Sequence, residues 1–364
     1  MSGLAKSYSN QKYILSLSDT VYSIALLLLF LGSGLSLFLE GSLKSSGFSG
    51  CWLIAAYLLV ISAAYYLLNF PLNFYASFTL EHKFNLSKQK AGSWALDQLK
   101  SGALAYILSL ILILLFYWVL GRFNQWWIWI SIFWIMFSVV LAKLTPILII
   151  PLFFKYKKLD DEILRSRVFD LASKMQIKLM EVMEIDFSKK SLKANAAFTG
   201  MGRTKRVLLA DTLKDKYTHD EVEVILAHEF AHYRLKHIIK LIVVNSLVTL
   251  GLFYLIFKTS IYVLKAFKLS SLLDLSSLPL VFLYFIIFGI ILQPLEAFVS
   301  RKFEKEADLL ALKVTANKEA FISLMEKLAA QNLADRNPLP IVKFFFFTHP
   351  PIDERIKIAK DYQI

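Results

Sequence analysis

The run His228-Glu229-Phe230-Ala231-His232 sets two imidazoles four residues apart, with a carboxylate directly after the first. On a helix, positions four apart share a face, so both imidazoles reach one metal ion while Glu229 addresses a water bound there. The chemistry such a set performs is metal-assisted hydrolysis, and two histidines with a carboxylate favour zinc, one ion per chain. A catalytic zinc of this kind takes three protein ligands and leaves the fourth position to water. The third must come from elsewhere. In Ser300-Arg-Lys-Phe-Glu304-Lys-Glu306-Ala-Asp308, Glu304 and Asp308 are four apart. Glu304 can ligate while Asp308 reaches a ligand histidine from behind and fixes its tautomer. Spacing alone gives Glu306 an equal claim to ligation.

These residues need elements to hold them. Thr218 followed three residues later by Glu221 is a capping-box pattern that starts the helix of the two histidines, with Val222, Ile225 and Leu226 on its apolar face. At 3.6 residues per turn His237 falls about 140° round that helix from His232, which predicts an interfacial histidine and not a ligand. His219 and His82 are expected in solvent. Residues 160–178 read as an amphipathic helix, 182–186 and 206–209 as short strands, and 199–202 as a turn. Residues 301–314 and 319–332 read as helices, and Pro350-Pro351 as a rigid turn before a short last helix.

Composition sets these elements beside a membrane. Of 364 residues 57% are hydrophobic, above the roughly 45–50% of soluble domains. The excess gathers in segments near 20–39, 51–77, 103–121, 126–153, 238–262 and 278–299, each close to the ~20 residues that span a bilayer. Pro71 is expected to kink the second span, and Lys143 to snorkel from the end of the fourth. The net charge of +13 suits an anionic leaflet in a chain this apolar, and nucleic acid is not an expected partner. Lys83, Lys88, Lys90 and Lys100 follow the second span, and Lys155, Lys157, Lys158, Arg165 and Arg167 follow the fourth. By the positive-inside rule these connections, both termini and the hydrolytic part are cytoplasmic. The single Cys51 excludes a disulfide framework and a multi-cysteine metal site. The expected fold is therefore predominantly α, a polytopic bundle of about six spans with a small cytoplasmic α+β zincin-like metalloprotease domain. Residues 1–154 carry four spans, 155–237 the zinc-binding helix, 238–299 two further spans, and 300–364 the third ligand.

Together, His228 to His232, Ser300 to Asp308 and Thr348-His-Pro-Pro-x-x-Glu-Arg355 resemble the type I CAAX prenyl proteases, integral-membrane zinc endopeptidases, and their bacterial relatives. Leu68 to Tyr75, Glu81 to Asn85, Pro146 to Phe153, Asn195 to Gly200 and Val207 to Thr212 extend the likeness over nearly the whole chain. The resemblance implies Glu304 as the ligand, and Asn195 and Ala196 as the edge strand that pairs with substrate backbone. It places His349 near the scissile carbonyl, where it suits stabilising the oxyanion, and Arg355 where it suits anchoring substrate or its C-terminal carboxylate. It also implies a chamber among the membrane helices. One further N-terminal span of the eukaryotic members is missing from the pattern, which points to a bacterial-type relative. The substrate expected from the likeness is a peptide or protein, prenylated or not, met at the lipid bilayer. Misfolded, unlipidated membrane proteins are the alternative substrate, and a transporter or scaffold with a degenerate motif the alternative from another class.

Overall fold

A computed structural model describes residues 2–200 and 205–363. Six of its helical runs are long and apolar enough to cross a membrane. The first, α1 (Ser2–Gly32), starts well before the expected 20. Its 31 residues make about 46 Å, against a hydrocarbon core of about 30 Å. The polar first turns are helical because they dock: Tyr8 is buried against Phe84, and its hydroxyl donates to Glu81 at 2.6 Å. The run ends before 39 because Gly34 takes φ +76, after which the short α2 (Leu35–Ser45) begins.

Helix α3 (Gly50–Phe74) passes through Pro71 into a π-helical turn, Tyr75–Thr79, and then α4 (Leu80–Lys83). Proline removes one rung of the ladder, and the π turn lies directly downstream, so the span is deformed without ending. After α5 (Ala91–Leu120), α6 (Trp126–Leu144) repeats the device, with Pro146 in the π turn Thr145–Ile149 before α7 (Ile150–Phe153). Lys143 is exposed at the end of α6. Many of the large apolar side chains left exposed on these helices, such as Leu67, Leu99 and Ile147, face where lipid would be.

The polar part contains β1 (Tyr156–Lys158), α8 (Glu162–Lys174), β2 (Glu181–Ile185), β3 (Ala196–Thr199) and β4 (Arg206–Ala210). The strands form one sheet in the order β1-β2-β4-β3, with β2 parallel to β4 and the other pairs antiparallel. Of these strands β1 was not expected, and β3 was expected only through the resemblance, which implied an edge strand at Asn195 and Ala196. The expected turn begins with Gly200 at φ +92, and its residues 201–202 lie outside the described residues. Then come α9 (His219–Arg234), α10 (His237–Ala266), α11 (Leu278–Thr315), α12 (Lys318–Gln331), α13 (Pro340–Phe346) and α14 (Ile352–Asp361).

The sixth span and the helix expected at 301–314 are one 38-residue helix, α11. Glu304 lies 26 residues beyond Leu278, about 39 Å along it, so a membrane span delivers this carboxylate directly. Val168, Val207, Leu226, Phe230, Phe321 and Ile356 share one core that joins sheet, α9, α12 and α14. Between the membrane helices lies a cavity of about 440 Å³, lined by residues such as Leu27, Ile61, Phe116, Trp134 and Phe253.

Candidate metal centre

Helix α9 begins with the capping box. Glu221 N–H donates to the Thr218 hydroxyl at 3.3 Å, and Thr218 N–H donates to the Glu221 carboxylate at 2.8 Å. Ser323 and Lys327 of α12 also donate to Glu221, at 2.6 and 2.7 Å, so the cap anchors the helix to its neighbour. Ala227 and Ala231 face Ala307 and Ala311 in the shared core, all four fully buried. Side chains this small let α9 and α11 approach closely.

That approach brings three ligating atoms together. His228 Nε2 is 3.2 Å from His232 Nε2 and 3.0 Å from Glu304 Oε2, and His232 Nε2 is 3.3 Å from Glu304 Oε1. Ligands about 2.0–2.1 Å from a tetrahedral ion are about 3.3 Å apart, so the set fits a metal. Glu304 Oε2 is buried and has no hydrogen-bond partner among the described residues, an orphan that a cation would satisfy. Glu306, the rival by spacing, points instead to His237 Nε2 at 3.1 Å.

Behind His228, Nδ1 donates to Asp308 Oδ1 at 2.8 Å. Arg355 donates to the same carboxylate through Nε at 2.8 Å and Nη2 at 2.6 Å. Two of its three nitrogens are thus engaged by Asp308, a different task from anchoring a substrate carboxylate. Burial opposes a charge on His228, but the Asp308 and Glu304 carboxylates beside its two nitrogens prevail and push it up to about 9. A metal bound here must displace that proton, so binding releases it to solvent. Burial pushes the Glu229 carboxyl above its usual range, the direction that suits a proton acceptor near neutral pH.

A cavity of about 380 Å³ opens here, lined by Asn195, Ala196, His228, Glu229, His349 and Arg355 among others. His349 Nε2 lies 3.4 Å from Glu304 Oε2, on a segment secured by Arg301, whose Nη1 donates to the carbonyls of Lys343 and Phe347 at 3.0 and 2.6 Å. Strand β3 is one of the two edges of the sheet, the other being β1. Ala210 N–H donates to the Asn195 carbonyl at 3.1 Å, so alternation turns the N–H and C=O of Ala196 away from β4. Ala194, just before, is pinned by Asn332, whose Oδ1 accepts from its N–H at 2.9 Å.

Three histidines depart from expectation. His237 is fully buried, with Nδ1 3.0 Å from His232 Nδ1. The 140° argument assumed one helix, but Lys236 at φ +58 breaks α9 from α10 and swings His237 back over the site. His219 pairs with Asp161 at 2.8 Å, and His82 bridges the Phe78 and Gln89 carbonyls at 2.8 and 2.9 Å. Asn332 and Arg301 drew no attention in the sequence, because each acts through backbone groups remote along the chain.

Two family models match: Peptidase family M48 over residues 158–363, and CAAX prenyl protease N-terminal, five membrane helices, over residues 4–155. The chain is similar to the uncharacterized metalloprotease YhfN of Bacillus subtilis, at 30% identity over 98% of this chain and 85% of that one. It is also similar to CAAX prenyl protease 1 of Saccharomyces cerevisiae, at 30% identity over 83% of this chain and 71% of the yeast protein. The crystal structure of S. mikatae Ste24p superposes with a TM-score of 0.88 at 27% identity, covering 98% of this chain and 88% of that one. With its helices, its converging ligands and these likenesses in agreement, the chain belongs to peptidase family M48, as a multi-pass membrane metalloprotease of the CAAX prenyl protease type.

Proposed function

We propose that the protein is a zinc endopeptidase of the cytoplasmic membrane face that cuts C-terminal peptides from lipidated substrates. The observation that carries this reading is the convergence of His228, His232 and Glu304 beside Glu229 in a cavity bordered by an edge strand. His228, His232 and Glu304 would hold the ion. When bound, zinc supplies Lewis acidity, which lowers the pKa of a water from about 15.7 towards 7. Glu229 would take a proton from the water that attacks the peptide carbonyl and return it to the leaving amine. Substrate backbone pairs with Asn195 and Ala196 as an added strand. His349 donates to the oxygen on which charge develops, and Asp308, clamped by Arg355, holds the His228 ring.

The basic connections Lys83 to Lys100 and Lys155 to Arg167 support a cytoplasmic hydrolytic part and cytoplasmic termini. Residues 1–154 and 238–299 form the membrane part in this reading, and 155–237 with 300–364 the protease. A lipidated substrate agrees with an apolar cavity among the spans of the same chain.

The test is cleavage of a farnesylated C-terminal peptide, its unlipidated twin and an unfolded protein, with and without a chelator. Chelator-sensitive cleavage that needs the lipid is the expected result. Lipid-independent cleavage moves the reading to quality control of misfolded membrane proteins. Absence of any cleavage by zinc-loaded protein overturns the proposed activity.

A further inference from the structure

The two imidazoles of the centre are backed by different groups. His228 has a charged carboxylate behind it, Asp308. His232 has a third imidazole: His237 Nδ1 lies 3.0 Å from His232 Nδ1, and His237 Nε2 lies 3.1 Å from Glu306 Oε2. The order of donors along this line follows from chemistry. His232 turns Nε2 towards His228 and Glu304, so a neutral ring that ligates there carries its proton on Nδ1. That proton is donated to His237 Nδ1, which must then be the bare nitrogen. His237 keeps its own proton on Nε2 and donates it to the Glu306 carboxylate.

We propose that His237, oriented by Glu306, is the positioning residue that fixes the tautomer and ring plane of His232. This rests on the reading of His232 as a ligand through Nε2. The surroundings hold His237 for such a task. It is fully buried, and its ring stacks on Phe303 with centroids 4.4 Å apart and planes 9° apart. Lys240 lies 3.8 Å from Glu306 Oε2 and over the same Phe303 ring, steadying both partners. His237 also opens α10, directly after the left-handed Lys236, so the break between the two helices creates the contact. Each ligand histidine thereby gains a two-residue support, His237 with Glu306 for His232 and Asp308 with Arg355 for His228. The His232 support presents a neutral acceptor, so its loss weakens the site less than loss of Asp308.

The experiment measures zinc affinity of the purified full chain by competition with a chelator of known affinity, and the d–d spectrum after cobalt substitution. His237→Ala is expected to weaken zinc binding by about 10–100-fold and to shift the cobalt bands. His237→Asn puts an amide oxygen near the position of Nδ1 and is expected to restore most of both, because it still accepts from His232. Glu306→Ala is expected to weaken binding, and Glu306→Gln, which still accepts from His237, to weaken it less. Affinity of His237→Ala within about twofold of wild type overturns the proposal. So does equal weakening by the Ala and Asn variants when their metal-free forms melt alike, since a structural role alone predicts that. Should His237→Ala fail to fold, the Glu306 pair decides, and wild-type affinity in both overturns the proposal. Failure of the wild-type chain to bind zinc sinks the ligand assignment itself, which keeps the two failures apart.

Discussion

The cavity among the membrane helices and the cavity at the metal centre are close in volume, about 440 and 380 Å³, yet their walls have little in common. The first is built of Leu27, Ile61, Phe116, Trp134 and Phe253, with polar contributions from hydroxyls such as those of Ser23 and Tyr65, paired at 2.9 Å. The second presents the Glu229 carboxyl, the His228 and His349 imidazoles, an edge strand and the buried Arg355 guanidinium. An apolar wall has no group to take or return a proton, so hydrolysis belongs to the second cavity alone. What the first can favour is hydrocarbon, by leaving apolar surface out of water. In the proposed reading one chain separates where a substrate is cut from where a lipid on it would rest, and α11 runs between the two levels.

The strongest way to break this separation is at Glu229. Glu229→Gln keeps the ligands and removes the proton acceptor, so turnover is expected to fall by about 10²–10⁴ while metal content by elemental analysis stays at wild type. Turnover near wild type would mean that the base lies elsewhere. Next in size is Arg355→Leu, which leaves Asp308 buried without its cation. Unfolding in detergent is expected to show a loss of about 3–5 kcal/mol, and adding Asp308→Asn to recover part of it. A loss below 1 kcal/mol, about the scale of an exposed pair, would show that solvent reaches Asp308.

Most of the architecture and the His228–His232 pair of the candidate site could be read in the sequence because both rest on short-range periodicity. The four-residue spacing of His228 and His232 and the Thr218 cap are local, and apolar runs of span length follow from bilayer thickness. What stayed illegible depends on breaks and contacts without a local mark. Lys236 turns the chain at positive φ with neither glycine nor proline, so His237 was placed on the wrong side of a helix that ends before it. The expected span was closed at 299, ahead of Arg301 and Lys302, where the apolar run stops, yet the helix carries on through Pro294 and these charges, so α11 was divided in two. Strand β3 owes its existence to pairing with β4 and to Asn332, well over a hundred residues on. Spacing left Glu304 and Glu306 equal; the resemblance pointed to Glu304, and the approach of α9 to α11 sets that carboxylate beside both imidazoles.

A smaller effect tests the polar cavity through its edge. Ala196→Pro removes an N–H that faces away from β4, so the sheet loses no rung there. One lost hydrogen bond to substrate backbone, about 1–1.5 kcal/mol, predicts a fall of roughly tenfold in kcat/KM with unchanged melting. An unaltered kcat/KM would mean that substrate does not add to β3 at this residue.

The smallest change is expected where the comparison makes its sharpest claim. Ser62→Phe places a phenyl ring in the membrane cavity, far larger than the hydroxymethyl it replaces but small beside about 440 Å³. If cutting and apolar binding are separate, cleavage of an unlipidated peptide should stay within about twofold, because no group that contacts the scissile bond has moved. Cleavage of the lipidated twin should show a raised KM with kcat retained, since the ring displaces hydrocarbon and not chemistry. Equal loss on both peptides would instead mean that filling the cavity bends α11 and moves Glu304. No change on either would assign the lipid to another surface and leave the membrane cavity without a part in recognition.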